Sequence, residues 1–139
     1  MITAFLALGS NLKSPLRQLH KGLQNLRLLP ATYVQKIAPL YFGAAVGRRY
    51  APPYWNTVVK IHTRLPVYRL LHHCHVLEKK QGRIRKIRFA SRTLDIDILE
   101  YGTARIHSPR LTLPHPRMHE RPFVMIPLGA VDDISCCGR

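Results

Sequence analysis

The run Leu94-Asp95-Ile96-Asp97-Ile98-Leu99 restricts the fold more than any other stretch, because it sets two carboxylates two residues apart in an otherwise apolar, strand-like segment. Successive strand side chains point to opposite faces, so Asp95 and Asp97 share one face while Leu94, Ile96 and Ile98 share the other. The apolar face can pack into a core. The two carboxylates then stand about 6.5–7 Å apart along the strand, a spacing that can grip hard cations. Only seven acidic residues occur in the chain, against twenty-two Lys and Arg, so a pair on one strand face is conspicuous. The alternative is an exposed sheet face whose solvated aspartates pair with nearby arginines, since ion-pair networks mimic functional sites.

The 139 residues, 46% of them hydrophobic, fit one globular domain spanning 1–139, with no repeat or low-complexity tract. No apolar run is long enough to span a bilayer. Residues 1–8 lack a basic lead-in and a small-residue cleavage site and run into Gly9-Ser10-Asn11, so they read as a strand of a cytoplasmic protein. Cys74 falls in a helical pattern and Cys136-Cys137 are adjacent, which is neither a disulfide framework nor a zinc spacing. The formal charge of +15 favours a polyanionic partner, and Lys79, Lys80, Arg83, Arg85, Lys86, Arg88 and Arg92 concentrate part of it between positions 79 and 92.

Along the chain, Ile2 to Leu8 predicts a strand, and Ser14-Pro15 opens a helix to about residue 28 with Leu16, Leu19, Leu23 and Leu26 as its stripe. A second strand is expected through Tyr33 to Phe42, a loop over 43–53, and a third strand over Tyr54 to His62. Pro66 starts a second helix with the stripe Val67, Leu70, Leu71, Cys74 and Leu77, closed near Gly82. A basic loop leads to the aspartate strand, Leu94 to Tyr101. Beyond it, Pro109, Pro114, Pro116 and Pro122 predict mostly irregular chain with a short helix near 117–120. Strand, helix, strand, strand, helix, strand is the order of an α+β ferredoxin-like antiparallel sheet with both helices on one face. The active site is then expected on the other side, flanked by loops.

The strings Leu8-Gly9-Ser10-Asn11-Leu12, Tyr54-x-Asn56, Glu78, Gly82-Arg83-x-Arg85, Arg92-Thr93-Leu94-Asp95-Ile96-Asp97-Ile98, Leu113-Pro114-His115-Pro116 and Arg121-x-Phe123 occur in this order between residues 2 and 128. In this the chain resembles the 6-hydroxymethyl-7,8-dihydropterin pyrophosphokinases of folate biosynthesis. The resemblance implies transfer of pyrophosphate from ATP to the pterin's hydroxymethyl oxygen, with release of AMP and the help of two Mg²⁺ ions. It makes Asp95 and Asp97 the metal ligands and Arg83 and Arg92 catalytic arginines. Glu78, Arg85, Arg92, His115 and Arg121 would bind ATP, with Glu78 alternatively a solvated helix-end carboxylate. Tyr54 and Phe123 would stack on the pterin, Asn56 would bond its edge, and Gly43 and Val46 would border it. Guanidinium suits phosphate because it is planar, permanently charged and bidentate.

The chain departs from the family in places. Gly43-Ala44-Ala45 stands where Thr or Ser and two prolines are common, Pro53 where Asp is usual, and Phe89 where many relatives carry Trp. It stops at Arg139, about twenty residues before longer relatives by the family comparison, which predicts a shortened C-terminus. The expectation is a monomeric enzyme acting on ATP and a pterin, with no membrane or nucleic-acid partner. Two alternatives stand beside it: a divergent paralogue that binds nucleotide with little turnover, and a basic nucleic-acid-binding ferredoxin-like module.

Overall fold

Alternation of apolar side chains along Ile2–Ser10 makes β1 the middle of the molecule, with Ala4, Leu6 and Leu8 buried on one face and Phe5 on the other. The computed structural model describes residues 1–12, 14–43, 54–82 and 93–131. After β1 come α1 (Pro15–Leu26), β2 (Thr32–Ile37), β3 (Tyr41–Gly43), β4 (Tyr54–Thr63), α2 (Val67–Lys80), β5 (Asp95–Tyr101), β6 (Ile106–His107), β7 (Thr112–Leu113) and α3 (Pro122–Val131), with a 3-10 turn at Met118–Glu120 before α3. Val46, Arg83, Arg85, Phe89, Arg92 and Cys136-Cys137 lie outside the described residues.

The five-stranded sheet runs β2-β4-β1-β5, with β3 also on β4, and every pairing is antiparallel. This is the α+β ferredoxin-like arrangement expected from the element order. Leu19 and Leu26 of α1 and Leu70, Leu71, Cys74 and Leu77 of α2 close over Leu6, Leu8, Val59, Ile61, Ile96 and Ile98, forming the main core. Cys74 is buried there as a packing residue. Gly82 adopts φ +85°, the left-handed conformation that ends α2 without a Cβ clash, and its N–H donates to Lys79 O at 3.0 Å.

Four local expectations need correction. Leu16 is 47% exposed, so the stripe of α1 is carried by Leu19, Gly22 and Leu26. Ser14 sits at the N-cap with φ 61° and makes no side-chain cap bond; only its carbonyl is used, accepting from Gln18 N. The strand expected through Tyr33 to Phe42 is split into β2 and β3. Ala38 N donates to Val58 O at 2.9 Å across the gap, and Thr57 Oγ1 donates to Ala38 O at 2.8 Å. These bonds replace the ladder where Pro39 cannot donate.

The fourth correction matters most for the site. The chain is mostly irregular as far as Arg121, with the short helical turn at Met118–Glu120 as expected, but Pro122 then starts α3, whose Val124, Leu128 and Val131, with Met118, cover Phe5, Val58 and Leu99 in a second core on the sheet's other face. That face is therefore only half open. A broad aromatic platform for nucleic acid would need the area that α3 occupies.

Candidate active site

The open half of the second face has a floor, two walls and a rim. In the register of the sheet, Gly9 of β1 lies between Asn56 of β4 and Asp95 of β5, and Ala7 lies between Val58 and Asp97. The central strand thus offers almost no side chain between the polar groups of its neighbours. A Cβ placed on Gly9 would come within 2.7 Å of Asn56 Oδ1 and 3.2 Å of Tyr54 Cδ1, so Asn56 and Tyr54 lean over the glycine. Asn56 is buried and its Nδ2 has no hydrogen-bond partner, which is costly unless a ligand accepts from it.

Asp95 and Asp97 emerge half-buried on this same face while Ile96 and Ile98 enter the main core, as the alternation predicts. The register shift of β5 between its pairs with Phe5 and Leu6 falls beyond the aspartates. Ordinary alternation already carries Leu99 to the second core on the aspartates' face, and the shift returns Tyr101 to the first core, leaving the aspartates' facing unchanged. No group of three or more His, Cys, Asp or Glu side chains able to hold a metal occurs among the described residues. Two carboxylates on an open floor suit Mg²⁺, which keeps water and takes substrate phosphate oxygens, better than an ion demanding an all-protein cage.

The Leu-Pro-His-Pro loop is tied to the outer edge of β5, where His115 N donates to Leu99 O at 2.9 Å. The N–H of Arg117 points at His115 Nδ1 at 3.3 Å, which leaves the ring proton on Nε2. Burial, then the Arg121 guanidinium, hold the imidazole below its usual 6.5; Asp95 pulls the other way and Arg117 lowers it further. His115 is therefore a neutral donor near neutral pH. In the range below 6.5 the unfolded chain takes up a proton that the native chain refuses, so native stability falls with falling pH there. Urea unfolding at about pH 7.5 and about pH 5.5 is expected to show a larger loss in the parent than in His115→Gln. Equal losses would remove His115 from that account.

A cleft of about 310 Å³ continues from this corner around the free edge of β5, bounded by Leu71 and His75 of α2, Ile96 to Ile98, and the 108–116 segment with Arg110, Thr112 and His115. Its outer wall is fixed by Tyr68, whose hydroxyl bonds Ser108 Oγ at 2.8 Å and whose ring lies 4.8 Å under the Arg110 guanidinium. Volume and shape are in the range of small-molecule sites. This cleft was not read from the sequence. Its walls come from segments far apart in the chain, and none of Leu71, His75, Arg110 and Thr112 stands in a pattern that marks it.

Of the residues expected at the site, Tyr54, Asn56, Asp95, Asp97, His115, Arg121 and Phe123 come together at this corner. The Arg121 guanidinium stands 5.7 Å from the centre of the Phe123 ring, and Phe123 packs half-buried at the start of α3. Gly43 ends β3 opposite Tyr54, at the rim. Glu78 differs: it is 1% exposed, and its Oε2 accepts the Ile96 N–H at 2.8 Å. Neither a solvated helix end nor an open nucleotide contact describes that position. Among the described residues, no helix is long and apolar enough to cross a membrane.

Residues 5–133 match the family model described as 7,8-dihydro-6-hydroxymethylpterin-pyrophosphokinase. The chain is 44% identical over 128 residues to the 2-amino-4-hydroxy-6-hydroxymethyldihydropteridine pyrophosphokinase of Haemophilus influenzae, covering 92% of this chain and 80% of that protein. The proteins of the same name from Pseudomonas aeruginosa and Bacillus subtilis are 39% and 35% identical, with 90% and 92% of this chain and 77% of each relative covered. A match of this extent, on a sheet that brings the shared motifs to one corner, places the chain in the 7,8-dihydro-6-hydroxymethylpterin-pyrophosphokinase family.

Proposed function

We infer that the protein transfers the pyrophosphoryl group of ATP to the hydroxymethyl oxygen of 6-hydroxymethyl-7,8-dihydropterin, releasing AMP, as a step of folate biosynthesis. The observation that carries this reading is one continuous surface. It runs from the buried, unpartnered Asn56 amide across bare Gly9 to Asp95 and Asp97, and on into a cleft lined by Asp97 and His115.

In this reading the flat pterin lies over Gly9, its edge bonded by Asn56 and its faces toward Tyr54 and Phe123, where planar rings gain from offset stacking. The base and ribose of ATP occupy the cleft beyond β5, and the triphosphate crosses the aspartate row toward Arg121. Two Mg²⁺ ions bound by Asp95, Asp97 and the triphosphate would neutralise its charge and bring the hydroxymethyl oxygen in line with the β-phosphorus. That oxygen bonds to the β-phosphorus, the bond from the β-phosphorus to the oxygen bridging it to the α-phosphate breaks, and AMP leaves with that oxygen while the hydroxyl proton is lost. His115 donates Nε2–H to a phosphate oxygen without adding charge, and Arg121 adds a permanent cation. Arg83, Arg85 and Arg92, carried over from the resemblance alone, complete the phosphate contacts. The protein's part is positioning and electrostatic stabilisation, which is what phosphoryl-type transfer requires. We propose the cytoplasm as its compartment.

AMP release from ATP, measured with and without the pterin alcohol and with Mg²⁺ added or chelated, tests the reading. Turnover is expected only with pterin and metal together. ATP binding without AMP release under any of these conditions would instead make the chain a nucleotide-binding paralogue.

A further inference from the structure

Glu78 is the one acidic side chain of the helix layer, and its position is unfavourable on elementary grounds. It lies in the last turn of α2, where a carboxylate opposes the helix dipole, and it is buried in a chain whose acids number only seven. It accepts a charge-assisted bond from Ile96 N–H at its Oε2, at 2.8 Å and eighteen residues away in sequence. Ile96 is the residue between Asp95 and Asp97. Its partner in the register is Leu8, flanked by the pairs Gly9 with Asp95 and Ala7 with Asp97, so an N–H given to α2 points to the outer side of β5.

β5 is an edge strand of the sheet, held by β1 on one side. Rotation of such a strand about its axis would swing both aspartates away from the floor, since their facing follows from that of the strand. A bond to the amide between them, from a buried group on a helix that is itself locked into the core, opposes that rotation. We propose that Glu78 is a positioning residue, which through the Ile96 amide holds Asp95 and Asp97 at the separation and facing needed to bind a divalent cation together with nucleotide phosphates. The proposal rests on the pyrophosphokinase reading for the identity of the nucleotide, but not for the cation geometry.

The test compares Glu78→Gln, which keeps an oxygen acceptor and loses the charge, with Glu78→Leu, which fills the space and accepts nothing. Mn²⁺ binding followed by electron paramagnetic resonance, with a non-hydrolysable ATP analogue present, reads the site without turnover. Pterin binding without nucleotide reads the rest of the floor. In Glu78→Leu, Mn²⁺ affinity is expected to fall about tenfold or more while pterin affinity is unchanged, as for loss of a group supporting metal ligands. Glu78→Gln is expected to retain most of the affinity. The proposal is overturned by parent-like Mn²⁺ binding in Glu78→Leu, by an equal loss in Glu78→Gln, or by a parallel loss of pterin binding that would mark general loosening. Should Glu78→Leu fail to fold, Glu78→Asp withdraws the acceptor by one methylene and is read the same way. A parent that binds Mn²⁺ with nucleotide but releases no AMP would remove the pyrophosphokinase reading and leave this comparison intact.

Discussion

Asp97→Ala is expected to lower AMP release about a hundredfold or more, with Asp95→Ala close behind, at unchanged fold. Both carboxylates stand half-buried on the sheet's open floor, opposite Gly9 and Ala7, so neither supports a core that its removal would collapse. In the proposed reading each substitution removes negative charge placed where cations meet the triphosphate, in a site where Arg110 lines the cleft and Arg117 and Arg121 stand around His115. Asp97 also lines the cleft that the proposed reading gives to the nucleoside end, on the path proposed for the phosphates. The measurement is single-turnover AMP formation at saturating ATP and pterin, with unfolding curves recorded beside it. Wild-type rates in either variant would sink the metal assignment.

Gly9→Ala should separate stability from substrate recognition. The new methyl carbon would stand 2.7 Å from Asn56 Oδ1, too close for any real contact, and the amide is the group that has to give way. Its Nδ2 has no partner that would resist the rotation, so the fold should lose little. The pterin, however, would meet a filled floor and a turned amide. Losing one buried polar bond of this kind corresponds to about tenfold to a hundredfold in affinity. Calorimetry should show that weakening for the pterin with the ATP analogue's affinity unchanged. A parallel loss for both ligands would mean that the substitution shifts β1 against β5 and not merely the amide over it.

The sequence carried the parts of this molecule whose periodicity follows from one packed face. Leu94 to Ile98 and Val67 to Leu77 could be read because each presents a single apolar side to the same core, and the position of Asp95 and Asp97 follows from that alternation alone. The third helix could not be read in this way. Pro127 inside it removes an N–H, and its apolar residues lie all round rather than in a stripe, because one side packs on the second core while Ile126 remains 59% exposed. The break between β2 and β3 depends on the Thr57 hydroxyl reaching Ala38 O, a contact that only the folded register creates. Glu78 is the clearest case at the site. As a letter beside Lys79 and Lys80 it looked like a solvated helix end, and only the docking of α2 on β5 reveals its bond to Ile96. The family resemblance supplied the proposed roles of Tyr54, His115 and Phe123, which in isolation read as core or loop residues.

The outer margin of β5 has a second meaning. A bare strand edge offers unpaired N–H and C=O groups as a template on which another chain can add itself, the usual beginning of aggregation. Here the Ile96 N–H is taken by Glu78 and the Leu99 carbonyl by the amide of His115. The groups that arrange the site therefore also blunt the edge on which it is built, so selection for chemistry and selection against self-association act on the same few residues.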